Sequence, residues 1–215
     1  MSRRSRYPGY DVLAKHDGVS WNEATRRTID RRLAMRQEPR SFSPSQWRVL
    51  CAVCERIIPQ EGVRTPVPLA GMLDARIAAG RTDGYRRVGL PAFGDAWRRG
   101  LDALEAEAQA RHHDHFDALP IAAQVELLER MQRGELVGEV WRGMSSREFF
   151  LHRLLLDIAS SYYAHPQAWN ELGFGGPASP RGYVRLDFDR RDPWEAIEAA
   201  AGHEHEAREA NRRVR

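Results

Sequence analysis

The sequence predicts an all-α protein, and three observations carry that expectation. Apolar residues recur at helical spacing in one segment after another. Helix start and stop signals bracket those segments. The alternation of helices with strands that a parallel sheet requires is absent. The expected architecture is a compact multi-helix domain with a long buried core helix towards its C-terminal end, followed by a Gly/Pro/aromatic loop. The 215 residues allow one fairly large domain with a real core. We read residues 1–19 as an N-terminal arm, 20–190 as a single helical domain and 191–215 as a charged tail.

The elements follow in order. Ser20 opens S-W-N-E, a capping box with Glu23 reaching back, and Trp21, Thr25, Ile29 and Leu33 repeat every fourth residue over roughly 21–36. Ser43-Pro44-Ser45-Gln46 is a second start, with proline in the tolerated first turn. Trp47, Leu50, Cys51, Cys54, Ile57 and Ile58 then keep helical spacing until Pro59. Leu69, Met72, Leu73 and Ile77 make a short helix closed by Gly80. The stretch RTDGYRRVGLP reads as a loop. Phe93, Trp97, Leu101, Leu104 and Ala108 form the stripe of a longer helix. Phe116 and Leu119 precede Pro120, which opens a helix with Leu127, Leu128 and Met131 inward and Gly134 at its end. Ser145-Ser146-Arg147-Glu148 is a third capping box. Phe149 to Tyr163 is apolar on more than one face and reads as the central buried helix. Tyr183 to Phe188 alternates polar and apolar residues, which predicts a short extended piece. The tail from Asp192 is helix-prone and peripheral.

Composition narrows the function classes. Charged residues make up 29 % of the chain and the mean hydropathy is −0.61, which predicts a water-soluble protein. No run approaches the roughly 18 apolar residues of a membrane helix, so direct membrane insertion is not expected. Arg3-Arg4 lacks the apolar segment of a secretory or twin-arginine signal. The chain is therefore expected to be cytoplasmic, unless a longer precursor was trimmed. The net charge is +3 and Lys15 is the only lysine; every other cation is arginine. Acids are interspersed with these cations, which argues against nucleic-acid binding.

Each chemical motif has a plain alternative. Cys51 and Cys54 form C-x-x-C, but mid-helix and on the apolar stripe, where a redox pair or half a zinc site is out of context. They read as core thiols. His112, His113 and His115 lie beside Asp114. Only His112 with His115 has ligand spacing, and the cluster falls at a helix end, where histidine suits the dipole. His203 and His205 belong to a polar tail. His165 is a lone candidate base with no named partner. The alternative function on these residues is a stand-alone metal- or thiol-dependent helical protein using His112/His115 or Cys51/Cys54.

The stretch SYYAHPQAWNELGFGGPASPRGY, from Ser161 to Tyr183, has neither a P-loop nor a dinucleotide pattern. Its glycines permit left-handed backbone and its prolines stiffen it. A rigid turn displaying Tyr162, Tyr163, Trp169, Phe174 and Tyr183 is expected. Such rings either close over the protein's own core or anchor a partner.

Three segments in order resemble the gluconate 2-dehydrogenase subunit 3 family. YYAHPQAWNELGFGGPASPRGY resembles its C-terminal signature. LCAVCERIIP looks like its first core helix, ending in Ile-Ile-Pro. HFDALPIAAQVELLERM looks like its Phe-x-x-Leu turn and the Gln-x-x-x-Leu-Leu helix that follows. Together they span roughly residues 42 to 185. The opening RYPGYDVL is also similar. The resemblance implies a non-catalytic small subunit that stabilises or matures a large glucose-methanol-choline (GMC) type oxidoreductase. That partner would carry FAD and oxidise a sugar or sugar derivative, and a cytochrome c subunit often takes the electrons. No cofactor is implied in this chain. Many members carry a twin-arginine signal, and this sequence departs there, which favours a cytoplasmic complex or, alternatively, a periplasmic one exported by another chain. The partner-facing residues implied are Tyr162, Tyr163, His165, Pro166, Trp169, Phe174, Gly175, Gly176, Pro177 and Tyr183. An arm at Tyr7 to Tyr10 would wrap the partner.

Overall fold

The computed structural model describes residues 5–63, 65–84, 87–180, 182, 192 and 194–214. Their regular structure is helical, and among them no strand forms; Trp21 and Ser179 make one isolated parallel bridge. The protein is all-α. No helix of the described residues is long and apolar enough to cross a membrane. The extended piece expected over Tyr183 to Phe188 lies outside the described residues. The chain forms two compact units. One comprises Arg36–Glu61 and Pro68–Tyr162; the other comprises Met1–Met35, Gly62–Val67 and Tyr163–Arg215.

The first of these units holds α2 (Pro44–Ile57), α3 (Leu69–Ala78), α4 (Phe93–His112), α5 (Ile121–Arg133), and the larger part of a final helical run. α2 starts as the sequence predicts. Ser43 Oγ accepts from the Gln46 N–H at 3.2 Å, and Gln46 Oε1 accepts from the Ser43 N–H at 3.1 Å. The helix ends at Ile57, with Ile58 as its cap, because the residue before Pro59 is pushed out of helical backbone. α4 touches both α2 and α5. Trp97 and Trp141 both pack against Phe149, the former edge-on at 5.6 Å. A Cβ at position 100 would stand 2.2 Å from the Phe149 ring, so this close approach of ring to helix requires Gly100. The Gln124 amide donates to the carbonyls of Phe116 and Leu119 at 3.0 and 3.2 Å. That fixes the Phe-x-x-Leu turn ahead of α5, which Gly134 closes in left-handed backbone at φ 75°.

α6 (Ser146–Phe149), a π-helical stretch (Phe150–Leu155) and α7 (Leu156–Ala164) succeed one another directly. Phe149, Phe150, Leu154, Ile158 and Tyr162 are buried, whereas Leu155 and Leu156 are exposed. The burial on several faces expected here is thus limited to one face. The i→i+5 bonding of the π turns shifts the apolar register and leaves two successive leucines outward.

Charges are buried along that helix. Asp157 accepts from the Trp97 indole N–H at 3.0 Å and lies 3.7 Å from Arg153 and 3.5 Å from Arg76. Arg153 donates to Asp83 at 2.7 Å, and Arg76 pairs with Asp83 as well. Both guanidinium groups also lie over the Phe93 ring, at 4.3 and 5.0 Å. Burial works against the Asp83 carboxylate, but its bonds to Arg153 and Arg76 prevail and hold its pKa below the usual value. At Asp157 burial prevails and the pKa is raised.

The second unit contains α1 (Glu23–Leu33), α8 (Pro166–Leu172), α9 (Glu204–Asn211) and a 3₁₀ turn at Val12–Lys15. Its core joins Tyr10, Val12, Trp21, Ile29, Trp169 and Val214. Three expectations change here. α1 is capped by Asn22, whose side chain accepts from the Thr25 N–H at 2.9 Å, and not by Ser20. Ser20 is buried, and the chain stays extended through Asn22, whose own N–H donates to the Ser179 carbonyl at 2.7 Å. The described part of the expected arm is packed, with Val12 fully buried. The tail is not peripheral: Asn211 is buried, donates to Pro8 O at 3.0 Å and Ile197 O at 2.9 Å, and accepts from the Ile197 N–H at 2.7 Å. A helix whose outer face reads as charged turns Ala207 and Asn211 inward, and Val214, just beyond its end, is buried as well.

Candidate functional site

The metal and thiol candidates lie within α2 and at the end of α4. Cys51 and Cys54 sit within α2 as free thiols. Burial pushes the Cys51 thiol up to about 11 and the Cys54 thiol well above its ordinary value. His112 ends α4 and His113 caps it in left-handed backbone at φ 57°. His115 bonds through Nδ1 to the Glu105 carboxylate, which raises its pKa. Among the described residues no three His, Cys, Asp or Glu side chains gather as a metal site requires.

The stretch after α7 is more ordered than its glycines and prolines suggest. Its first half is a helix. His165 is the N-cap of α8 and Pro166 occupies the first turn, where its missing N–H matters least. His165 Nδ1 accepts from the Gln167 N–H at 3.3 Å, and the opposite nitrogen faces the Arg32 carbonyl at 3.1 Å. That pair of bonds requires the neutral ring with hydrogen on Nε2. Arg32 also donates to the Ala164 carbonyl at 2.7 Å, satisfying the end of α7. His165 is therefore a capping residue rather than a base.

Burial lowers the His165 pKa below the ordinary 6.5. A group depressed on folding stabilises the fold above its unfolded pKa and loses that contribution as pH falls through the folded value. Acidification below about pH 6.5 is thus expected to loosen α8. His165→Asn keeps an acceptor at the cap and removes the titration. The stability difference between the two proteins should shift in favour of the variant between pH 7 and pH 5, measured by urea unfolding at each pH. A constant difference would mean that His165 does not titrate on unfolding.

α8 ends at Gly173, φ 66°, and the chain turns through Phe174, Gly175, Gly176 and Pro177. The backbone carbonyls of this turn are held one after another by the N-terminal segment. The Tyr10 hydroxyl donates to Phe174 O at 2.9 Å. Lys15 Nζ donates to Gly175 O at 2.9 Å. The Trp21 indole donates to Pro177 O at 2.8 Å, and the Asn22 N–H reaches Ser179 O at 2.7 Å. Close packing accompanies the bonds. A Cβ at Gly173 would stand 2.5 Å from the Tyr7 ring, and one at Gly176 would stand 2.8 Å from Val12. Both residues also have positive φ, so glycine is required twice over.

The rings divide between inside and outside. Trp169 is 4 % exposed; its indole donates to the Tyr163 carbonyl at 2.7 Å and its face meets Phe174 edge-on at 5.6 Å. It belongs to the core, as does Tyr10, whose phenol pKa burial raises. Tyr162 is also buried. The display expected for Trp169 and Tyr162, and the wrapping expected of Tyr10, are thereby corrected: these rings seal the protein itself. Tyr7 packs on Gly173 rather than projecting. Tyr163 and Phe174, at 52 % and 41 % exposure, are the described rings of the stretch that face outward, with Leu172 near them at 47 %. Tyr183 lies outside the described residues. Sequence reasoning missed Lys15, Trp21 and Leu172. The available signal was Lys15, a single lysine in an arginine-rich chain.

A protein-family model described as gluconate 2-dehydrogenase subunit 3 matches residues 44–176, from the first residue of α2 to the second glycine of this turn. No curated protein and no solved structure matches the chain. With more than half its length under that match, the chain belongs to the gluconate 2-dehydrogenase subunit 3 family, subunits of a dehydrogenase that act with partner subunits.

Proposed function

We propose that the protein is a non-catalytic small subunit that binds, stabilises and matures a large FAD-dependent GMC-type oxidoreductase acting on a sugar or sugar derivative. On this reading catalysis and flavin belong to that partner, a cytochrome c subunit is the third member, and the complex works in the cytoplasm. One observation carries the reading: Phe174 faces outward on a turn tied at four carbonyls to the subunit's own N-terminal segment, and Tyr163 is exposed at the end of α7. A turn held in that way loses little entropy when it docks. Exposed aromatic side chains there are suited to supply the binding energy. Tyr163, Leu172 and Phe174 are the anchors; Trp169, Gly175, Gly176 and Pro177 shape the support.

A tagged chain isolated from its native host should bring down a second polypeptide with flavin absorbance bands. The double variant Tyr163→Ala, Phe174→Ala should fold normally and weaken that association by roughly tenfold to a thousandfold, the range of one or two strong anchors. Full retention of the flavoprotein by the variant would remove the turn from the interface. A colourless chain with no co-purifying polypeptide would remove the subunit reading itself.

A further inference from the structure

Lys15 is the only lysine among 33 basic residues, and its side chain is fully buried. Lysine is almost never buried unless its charge is met by partners. Here Nζ donates to Gly175 O at 2.9 Å, to the Tyr10 hydroxyl at 3.1 Å, and to Trp194 O. The three donors of one ammonium thus meet three oxygens from separate stretches of chain. The ammonium also lies 5.4 Å from the Tyr10 ring centre. Tyr10 passes the tie on, since its hydroxyl donates to Phe174 O at 2.9 Å. One cation therefore fixes two successive carbonyls of the turn and joins them to residue 194. The chain uses arginine everywhere else. A planar guanidinium presents its donors in a fork and is larger than a point ammonium, so it does not reproduce this convergence.

We propose that Lys15 is the positioning residue of the partner-binding turn: its ammonium orders the backbone of Phe174 and Gly175 and so sets the direction in which the outward ring of Phe174 points. The proposal rests on the partner-binding role assigned to that turn, but the ordering itself is measurable in the isolated chain.

The test is hydrogen exchange by mass spectrometry on full-length wild type, Lys15→Met and Lys15→Arg, with association to the co-expressed FAD subunit measured in parallel. Lys15→Met removes the ammonium that meets Gly175 O, Trp194 O and the Tyr10 hydroxyl. Exchange across residues 173–182 should rise by roughly tenfold to a hundredfold, while α2 to α5 stay as in wild type. Lys15→Arg should fail to restore protection, although it restores the charge. Association with the FAD subunit should weaken at least about tenfold in both. If Lys15→Met unfolds the whole unit, with α1 and α8 exchanging as well, Tyr10→Phe removes only the hydroxyl that links Lys15 to Phe174 O and leaves the ammonium on Gly175 O. It should then raise exchange in the turn alone. Unchanged protection of the turn in Lys15→Met and Tyr10→Phe, or full rescue by arginine, overturns the proposal. A loosened turn with undiminished association upholds the ordering role and instead removes the turn from the interface.

Discussion

Asp157→Ala should destabilise the protein by about 3–5 kcal/mol, the range for removing one member of a buried charge network. The reason is what remains behind. The Trp97 indole N–H loses its acceptor at 3.0 Å, and Arg153, buried beside it, keeps only Asp83. Arg76 likewise falls back on Asp83 alone. Two guanidinium groups then share one carboxylate, and Arg153 is too deeply buried for water to compensate it fully. Asp157→Asn retains an acceptor for Trp97 and should lose less. Urea unfolding followed by tryptophan fluorescence measures both, with the midpoint falling and the slope unchanged. A loss below about 1 kcal/mol for the alanine variant would mean that solvent or rearrangement relieves the arginines.

Trp169→Ala is the second large effect, at about 3–5 kcal/mol. The indole fills the core between Tyr10, Val12, Trp21, Ile29 and Val214, and its N–H closes on the Tyr163 carbonyl at 2.7 Å. Truncation removes a large buried ring and releases Phe174 from its edge-on contact. Tyr163→Ala is the control, because the half-exposed Tyr163 side chain can be lost with a stability change within about 1 kcal/mol while its backbone carbonyl remains. Thermal unfolding of the two variants separates support from contact. Loss of flavoprotein association in Tyr163→Ala without loss of stability marks an interface ring. Similar destabilisation by both would make Tyr163 part of the core.

Local signals in the sequence located most helices because those signals are themselves local physics. Ser43 and Gln46 meet each other within one turn, and Gly134 needs only its own backbone to stop α5. Ser20 misled because the competing partner of that stretch is Ser179, far away along the chain. His165-Pro166 reads as loop beside GFGGP, yet it is a helix start whose cap is a histidine, a residue outside the usual capping set. Asp83 sits in a stretch that reads as featureless loop, and its role depends on Arg153, 70 residues on. The turn was legible as unusual, because aromatic rings with glycines and prolines are seldom spent on linkers. Which rings point inward was not, since that depends on Tyr10, Lys15, Trp21 and Val214 arriving from both ends of the chain.

That arrangement has a consequence for synthesis on the ribosome. Trp21 emerges 156 residues before the carbonyl it serves at Pro177, and Lys15 emerges 160 residues before Gly175. At about 5–20 residues per second, the wait is roughly 8–30 s. Throughout it, Val12, Trp21 and Ile29 lack Trp169 and Val214, so this apolar segment stays uncovered in the nascent chain. The other unit has all its residues by Tyr162. The ties of the turn are complete only once Trp194 has been made. A partner that reads this turn would therefore engage chains that extend past that residue and pass over shorter ones.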